Sequence, residues 1–219
     1  TPIEYTHSLL RFGSRPGLER MNALLCALGS PQKKLAAVHV AGTNGKGSTC
    51  AFLTSVLREA GYSCGLFTSP HLVVINERFQ INEKNIDDDV FLDAFSKVKA
   101  LADELVKEGN YHPTYFEFLF LMGMVIFADA NVDYVVLETG LGGRLDATSA
   151  VKNPIACVIT SIGLDHMEYL GDTVEKIAAE KAGIICPEVP VLYAQCDPAS
   201  DQVIEETARK QNCFCKKIG

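Results

Sequence analysis

Short apolar segments alternate along this chain with longer segments of helical periodicity. The predicted helices cover residues 17–29, 48–60, 87–108, 114–130, 173–182 and 200–211, and the predicted strands cover residues 35–41, 64–68, 133–139, 155–161 and 189–194. The strand segments are apolar on both faces, which is typical of a parallel sheet that helices cover on two sides. The alternation therefore predicts an α/β fold with a mainly parallel sheet and helices on both faces.

The composition is that of a soluble globular protein without a general basic surface for a polyanion. Of the 219 residues, 47% are hydrophobic and 21% are charged, and the formal net charge is −7. An acidic total disfavours nucleic acid as a partner. The most apolar segment, residues 118–128, is well short of the ~20 residues that a membrane-spanning helix needs. We therefore interpret this segment as a buried helix and expect no membrane partner.

The eight cysteines indicate a reducing compartment. They are scattered through apparent core segments without a C-x-x-C pair, which favours free thiols. Cys213 and Cys215 form a C-x-C sequence at the start of a further predicted strand, where ordinary packing is a better interpretation than a metal site. The first residues lack the basic segment and the long apolar core of a signal peptide. We expect a cytoplasmic protein and a monomer.

Three glycines surround a lysine in the sequence HVAGTNGKGSTCAFL, between a predicted strand and a predicted helix. Gly42, Gly45 and Gly47 allow positive φ angles and a close approach to a ligand. Free N–H groups at a helix N-terminus, together with Lys46, make an anion site that suits a phosphate. The common pattern G-x-x-x-x-G-K-[ST] does not fit, because it needs glycine at position 40 and a hydroxyl residue directly after the lysine. A connector with a solvated lysine is the alternative.

Polar side chains follow the predicted strands at their carboxyl ends, the edge at which parallel sheets bind ligands. These residues are Thr68, Ser69, Pro70 and His71, then Asn76, Glu77 and Arg78; Glu138, Gly140, Gly142, Gly143, Arg144 and Asp146; and Asp165 and His166. Ordinary alternatives are a turn residue for Ser69, a solvated strand end for Glu138 and a capping residue for His166. Because such groups recur on one predicted rim, we interpret the rim as an active site.

The ordered motifs of the chain resemble those of one family of amide-bond ligases. They are YTHSLLRFG, HVAGTNGKGS, TSPHL, NERF, TYFEF, ETGLGGRLDAT, LDHMEYLG and EKAGI. On these motifs the chain is similar to the ATP-binding domain of the folylpolyglutamate synthases and dihydrofolate synthases, within the Mur-ligase-type superfamily. GTNGKGS, with its additional glycine, is the form of phosphate loop that this family uses. The resemblance implies a P-loop NTPase-like fold of the Mur ligase central-domain type.

The resemblance implies an ATP-dependent ligase that adds L-glutamate to a folate, to dihydropteroate, or to both. ATP would phosphorylate the acceptor carboxylate, and the glutamate amine would then attack the acyl phosphate. Negative charge accumulates on the phosphate groups during such a transfer, so Mg²⁺ and fixed cations should stabilise the transition state. Two alternatives stay open: another Mur-type amino-acid ligase, and a nucleotide-binding module without ligase activity of its own.

The resemblance also implies a role for each matching residue. The ATP-binding residues would be Gly42, Thr43, Asn44, Gly45, Lys46, Gly47, Ser48 and Thr49, and the Mg²⁺ ligands would be Ser48, Ser69, Glu138 and His166. The pteroate or folate pocket would include Ser69, Pro70, His71, Arg78, Thr114, Tyr115, Phe116 and Asp146. Core packing is the alternative for Phe116. The catalytic residues would be Lys46, His166 and Lys181, with Lys181 carbamylated rather than a simple helix-surface lysine.

The resemblance covers almost the whole chain, and the family's own sequence continues beyond it. Residues 1–219 would be the N-terminal ATP-binding domain, ending before that domain is complete, and the family's C-terminal domain would be absent. We therefore expect this chain alone to bind ATP without completing ligation.

Overall fold

The computed structural model describes residues 1–12, 17–109 and 111–219. Its helices are α1 (Pro2–Ser8), α2 (Glu19–Ala27), α3 (Lys46–Glu59), α4 (Asp88–Lys107), α5 (Tyr115–Asp129), α6 (Met167–Leu170), α7 (Val174–Ala182) and α8 (Pro198–Lys210). Its strands are β1 (Ala36–Ala41), β2 (Cys64–Phe67), β3 (Phe79–Ile81), β4 (Lys84–Asn85), β5 (Tyr134–Glu138), β6 (Ala156–Ile159), β7 (Val191–Ala194) and β8 (Cys215–Ile218). Gly13, which ends the motif YTHSLLRFG, lies outside the described residues.

The strands of the described residues form one sheet in the order β4-β3-β2-β5-β1-β6-β7-β8. From β2 to β8 in this order, paired strands run parallel, whereas β3 pairs antiparallel with both β2 and β4 at one edge. The predicted α/β fold with a mainly parallel sheet is therefore confirmed. The parallel arrangement places the carboxyl ends of β2, β5, β1 and β6 side by side.

Helices cover both faces of the sheet, as predicted. Successive side chains of each strand point to opposite faces, so the apolar strands present buried side chains to helices on both sides. On one face Val38 and Val136 pack with Cys50 of α3. On the other face Phe67 and Leu137 belong to a larger core that includes residues of α2, α4 and α5. A third cluster joins β6 and β7 to residues of α7 and α8.

The most apolar segment is a buried helix, as its length predicted. Every residue of α5 from Glu117 to Phe127 is buried. Among the described residues, no helix is both long enough and apolar enough to cross a membrane.

The structure also contains elements that the sequence analysis did not predict. They are the short ones: α1 and α6 have seven and four residues, and β3 and β4 have three and two. The strand predicted over residues 155–161 ends at Ile159, because Thr160 and Ser161 hydrogen-bond to the loop that follows β1. The cysteines are free thiols, as predicted, but Cys26 is exposed and does not belong to the predicted core.

Candidate active site

The carboxyl ends of four adjacent strands form the rim at which the predicted site residues meet. β1 leads into Gly42, β2 leads into Thr68 and Ser69, β5 ends at Glu138, and β6 leads into Thr160. Because the strand order is β2-β5-β1-β6, these ends are neighbours. The structure thus brings together the glycine loop, the residues after β2 and the carboxylate of β5.

The loop from β1 to α3 contains two positions that require glycine. Gly42 has a φ of 155° and Gly45 has a φ of 81°. A Cβ atom on Gly42 would lie 1.7 Å from Oγ1 of Thr160, so a larger residue does not fit. Gly45 is the N-cap of α3 and has no side chain with which to cap it. The N–H groups of the first helical turn are therefore available to a bound anion.

Residues after β6, which the sequence analysis did not single out, hold this loop in place. The backbone N–H of Thr43 donates to the carbonyl of Ser161 at 2.7 Å, and the N–H of Gly163 donates to Oγ1 of Thr43 at 3.1 Å. Oγ1 of Thr160 lies 2.7 Å from the Asn44 carbonyl oxygen. The available sequence signal was a pair of hydroxyl residues at the end of an otherwise apolar strand segment.

Two lysines donate to one carbonyl oxygen of the loop. Nζ of Lys46 donates to the carbonyl oxygens of Gly42 at 3.0 Å and of Thr43 at 3.2 Å. Nζ of Lys181 donates to the same Gly42 oxygen at 2.7 Å. Lys181 is 3% exposed, so it is not a helix-surface lysine. Burial, reinforced by the charge of Lys46, lowers the pKa of Lys181 to about 8.

Glu138 is a buried carboxylate beside the phosphate loop. Its Oε2 accepts the backbone N–H of Ser69 at 3.1 Å, and a Cβ atom on Gly47 would lie 3.7 Å from the same oxygen. Burial raises the pKa of Glu138 above its usual range, whereas the Ser69 N–H and the charges of Lys46 and Arg78 act in the opposite direction. The alternative of a solvated strand end is wrong for this residue.

A cavity of about 630 Å³ opens beside the loop, within the size range of small-molecule sites. Nine of the predicted site residues line it: Lys46, Ser69, Pro70, Arg78, Thr114, Tyr115, Phe116, Asp146 and His166. The further lining residues are Leu10, Glu117, Gly140, Leu141, Arg144, Leu145, Ala147, Tyr169, Leu170 and Glu180. The shared residue Lys46 makes the loop and the cavity neighbours.

Arg78 brings a buried positive charge to the cavity. It is 6% exposed, and its guanidinium carbon lies 5.5 Å from the centroid of the Tyr115 ring. Its Nε donates to Nδ1 of His71 at 2.9 Å, which requires a neutral His71. Burial, together with the Arg78 charge, accordingly lowers the pKa of His71. His71 thus acts on the site through Arg78 and is absent from the cavity lining.

Thr114 and Phe116 stabilise the fold as well as lining the cavity. Thr114 is the N-cap of α5: its Oγ1 accepts the Glu117 N–H at 3.4 Å, and its N–H donates to Oε2 of Glu117 at 2.8 Å. The ring of Phe116 lies 5.7 Å from that of Phe67, and a Cβ atom on Gly140 would lie 2.7 Å from it. Phe116 therefore packs in the fold, and its contact with a substrate stays a prediction.

Both carboxylate oxygens of Asp146 are engaged within the protein. Oδ2 accepts the N–H groups of Gly140 and Leu141, each at 2.9 Å, and Oδ1 accepts the N–H and Oγ1–H of Thr148 at 3.0 and 2.5 Å. Burial raises the pKa of Asp146, and these hydrogen bonds oppose the rise. Asp146 organises the loop that it belongs to, and the predicted contact with pterin N–H donors stays a prediction.

The predicted metal ligands differ in exposure. Ser48, in the first turn of α3, and His166, the N-cap of α6, are exposed, whereas Glu138 is buried. Among the residues that the structure describes, no three His, Cys, Asp or Glu side chains come together as a metal cluster. A metal site here would combine the Glu138 carboxylate with hydroxyl groups and nucleotide phosphates, an arrangement that suits Mg²⁺.

Arg144, a residue of the rim without a predicted role, ties the cavity loop to α7. Its Nε and Nη2 donate to Oε1 of Glu180 at 3.0 and 2.7 Å, and its backbone N–H donates to the Glu180 carbonyl at 2.8 Å. A Cβ atom on Gly143 would lie 2.7 Å from that carbonyl oxygen. Because Lys181 follows Glu180 in α7, these contacts also position the buried lysine.

The parallel sheet, the glycine loop and the lysine at the start of α3 are the features of an α/β domain that binds phosphate groups, and a cavity lies beside the loop. Such domains occur in many nucleotide-dependent proteins. A family model described as the Mur ligase middle domain matches residues 40–218, and the chain belongs to this family.

Relatives and solved structures confirm the resemblance to one branch of these ligases. The chain is 46% identical over 207 residues to the Bacillus subtilis (strain 168) protein named dihydrofolate synthase/folylpolyglutamate synthase. This alignment covers 94% of the chain and 48% of the relative. It is 35% identical to E. coli FolC in complex with DHPP and ADP, with a TM-score of 0.88 over 99% of this chain and 51% of that one. It is 33% identical to the protein in an FPGS–AMPPCP–folate complex, with a TM-score of 0.94; the match covers 99% of this chain and 53% of that one. The chain thus spans about half the length of these relatives.

Proposed function

We propose that this chain provides the ATP-binding side of the active site of a ligase that joins L-glutamate to a folate, to dihydropteroate, or to both. The observation that carries the proposal is the position of Lys46, whose side chain donates to the Gly42 carbonyl of the glycine loop and also lines the cavity. A phosphate on the loop and a carboxylate in the cavity would meet at this lysine. The names of the relatives and the ligands of the solved structures support ATP as the source of the phosphate and a folate or a pteroate as the source of the carboxylate.

The reaction requires an activated carboxylate. The γ-phosphoryl group of ATP is transferred to a carboxylate oxygen of the acceptor, which gives an acyl phosphate and ADP. The amine of glutamate then attacks the carbonyl carbon, phosphate leaves with the bridging oxygen, and the amine loses a proton. Residues 42–49 would hold the nucleotide phosphates. Lys46 and the N–H groups of the first turn of α3 would stabilise the charge on the transferred group.

The residues beside the loop fit Mg²⁺. A buried carboxylate, Glu138, lies with the hydroxyl residues Ser48 and Ser69 near the same strand ends, and oxygen donors are the ligands that Mg²⁺ prefers. When bound, the ion neutralises phosphate charge. His166 would be a nitrogen ligand, which is less usual for this metal; because it lines the cavity, a catalytic contact with the acceptor is its second proposed role.

The environment of Lys181 suits carbamylation. Its pKa of about 8 leaves more neutral amine at neutral pH than an exposed lysine has, and only the neutral amine attacks CO₂. The ammonium group first loses one proton; the neutral amine then forms an N–C bond to CO₂ and loses a second proton, so a cation is replaced with an anion. The two lysines that donate to the Gly42 carbonyl would then carry opposite charges. This relief of repulsion beside Lys46 supports the proposal.

The cavity suits an aromatic acceptor that carries a carboxylate. Tyr115 and Phe116 offer ring faces for stacking, and the buried guanidinium of Arg78 offers donors to an anionic group. The remaining proposed contacts are Ser69, Pro70, Thr114 and Asp146, and His71 would act through its hydrogen bond with Arg78.

The same observations support a proposal for the whole protein. Because the chain spans about half of its relatives, we assign residues 1–219 to the N-terminal ATP-binding domain of a longer, two-domain ligase. Free thiols at all eight cysteines suit the reducing cytoplasm. The partners would be small molecules, and the protein would act as a monomer.

Phosphate release from ATP tests the proposed function in the longest natural form of the protein. We expect release that requires glutamate together with dihydropteroate or a tetrahydrofolate, and a product heavier by one glutamyl residue. Release that requires a nucleotide-sugar peptide instead would indicate another Mur-type ligase. ATP binding without acceptor-dependent release would indicate a nucleotide-binding module.

A further inference from the structure

Three buried side chains form a hydrogen-bonded series beneath the wall of the cavity. His39 lies in β1, Thr148 lies in the short 3₁₀ helix Ala147–Ala150, and Asp146 is the N-cap of that helix. Nε2 of His39 is 2.7 Å from Oγ1 of Thr148, and Oγ1 is 2.5 Å from Oδ1 of Asp146. The three residues are 0%, 0% and 7% exposed, so the hydrogen bonds between these side chains are largely shielded from solvent.

The direction of the hydrogen bonds follows from the chemistry of each group. The Asp146 carboxylate accepts from four donors, two of them from Thr148. The single hydroxyl proton of Thr148 is therefore directed to Asp146, and Thr148 Oγ1 accepts from His39. His39 must carry its proton on Nε2. Its Nδ1 is buried without a partner among the described residues, so no acceptor is present there that would favour a proton on this nitrogen.

The charge state of His39 agrees with this assignment. Burial, reinforced by the charge of Lys152, lowers the pKa of His39 to about 3. The ring is therefore neutral at physiological pH, with one N–H donor and one bare acceptor.

The series connects the strand that leads into the phosphate loop with the wall of the cavity. His39 stands three residues before Gly42 in the sequence. At the other end, Oδ2 of Asp146 holds the N–H groups of Gly140 and Leu141, and both of these residues line the cavity. A change at His39 is thereby transmitted to the cavity wall without any contact between His39 and the ligand.

We infer that His39 is a positioning residue for the acceptor: its Nε2–H orients Thr148, and Thr148 orients Asp146, which holds the Gly140–Leu141 backbone in place. The inference rests on the proposed function, because it assigns the cavity to the acceptor. Removal of a donor leaves a buried oxygen with a partner missing, and the loop relaxes to recover it. Small displacements of a binding wall have large effects on reactivity.

Matched substitutions separate this role from simple packing. Thr148→Val removes the hydroxyl at nearly constant shape, and Thr148→Ser retains it. His39→Leu removes the ring donor, and His39→Gln retains an amide N–H donor. We expect Thr148→Val and His39→Leu to raise the KM for the pteroate or folate acceptor roughly tenfold, with the KM for ATP within about twofold. Thr148→Ser and His39→Gln should leave the KM for the acceptor close to that of the parent.

A spectroscopic measurement on the parent protein is independent of any variant. In a ¹⁵N NMR spectrum of the imidazole nitrogens, we expect a protonated Nε2 and an unprotonated Nδ1 for His39 at neutral pH. Protonation on Nδ1, or on both nitrogens, would overturn the assigned direction of the series and with it the inference.

The kinetic outcomes distinguish this inference from the proposed function. A parent protein that forms no glutamylated folate or pteroate would contradict the proposed function itself. A parent that forms the product, with Thr148→Val folded and unchanged in acceptor KM, would contradict the inference alone. Equal increases in the KM values for acceptor and ATP would also overturn it, because they would indicate a general loss of structure. If either variant does not fold, the NMR measurement decides.

Discussion

Lys181 has the most unusual environment of the charged residues at the site. It is buried next to Lys46, and both ammonium groups donate to the Gly42 carbonyl. A buried ammonium group is costly when its neighbour is another cation. The arrangement is therefore suited to an anion, supplied by a nucleotide phosphate or by a carbamate on Lys181 itself.

Lys181→Met should change the pH dependence of stability. The pKa of Lys181 is about 8 in the folded protein and about 10.5 in the unfolded chain. Between these two pKa values the unfolded state binds more protons than the folded state, so Lys181 makes the free energy of unfolding rise with pH. The buried ammonium group destabilises the fold fully below about pH 8, and this destabilisation is absent above about pH 10.5. We expect urea unfolding in CO₂-free buffer to show a smaller rise for Lys181→Met than for the parent.

Lys176→Met is the matched control, because Lys176 lies on the same helix and is exposed. The Lys176→Met variant should retain the rise of the free energy of unfolding with pH that Lys181 causes. Parallel stability profiles for the parent and Lys181→Met between about pH 8 and about pH 10.5 would contradict the depressed pKa of Lys181.

Lys46→Ala should remove nucleotide binding without unfolding the protein, because the side chain is at the loop and only partly buried. Ligand at about 100 times its Kd stabilises a folded protein by about 2.7 kcal/mol, which a thermal-shift assay with Mg·ATP detects in the parent. We expect little or no shift for Lys46→Ala. Equal stabilisation of variant and parent would remove the phosphate-loop assignment.

The sequence predicted the residues whose function depends on local spacing, and it did not predict contacts between distant segments. Gly42, Gly45 and Lys46 were identified from a strand, a loop and a helix that are contiguous. The burial of Lys181 was not foreseen, because its partner Gly42 is 139 positions away. The four internal hydrogen bonds of Asp146 were likewise invisible before the fold of its loop was known.

At the scale of elements, the phosphate loop depends on the segment after β6. Gly42→Ala would place a Cβ atom 1.7 Å from Oγ1 of Thr160, so the backbone or the hydroxyl must move. Because Thr160 also bonds to the Asn44 carbonyl, the movement would distort the loop. We expect Mg·ATP to bind about tenfold more weakly or worse by isothermal titration calorimetry.

Gly163→Ala is the matched control on the opposing segment. A Cβ atom there would lie 3.9 Å from Cγ2 of Thr43, an ordinary contact. This variant should bind Mg·ATP like the parent. Parent-like affinity in Gly42→Ala would show that the loop tolerates the displacement.

Element prediction succeeded where a segment was long enough to show its period. α4 has 20 residues with buried positions at helical spacing, and it was predicted to within a residue at each end. β3 and β4 have three and two residues, and β3 forms by pairing with β2. α6 has only four residues. Elements this short are determined by their tertiary partners, which no local pattern reveals.

At the scale of the whole molecule, the chain spans about half the length of its relatives. We expect the 219-residue chain alone to bind Mg·nucleotide weakly by calorimetry and to give no glutamylated product by mass spectrometry. Ligation needs the amine held against a short-lived acyl phosphate, and loss of such proximity raises the barrier by about 7 kcal/mol or more. Clear product formation by this chain alone would show that one domain suffices.

The central claim is that ATP activates the acceptor carboxylate as an acyl phosphate beside Lys46. It is tested most directly in the longest natural form of the protein, with a folate or dihydropteroate whose reacting carboxylate carries ¹⁸O in both oxygens. The phosphate released during ligation is analysed by mass spectrometry. We predict one ¹⁸O atom per released phosphate, accompanied by ADP. Release of unlabelled phosphate, or transfer of the label to AMP, would contradict the claim.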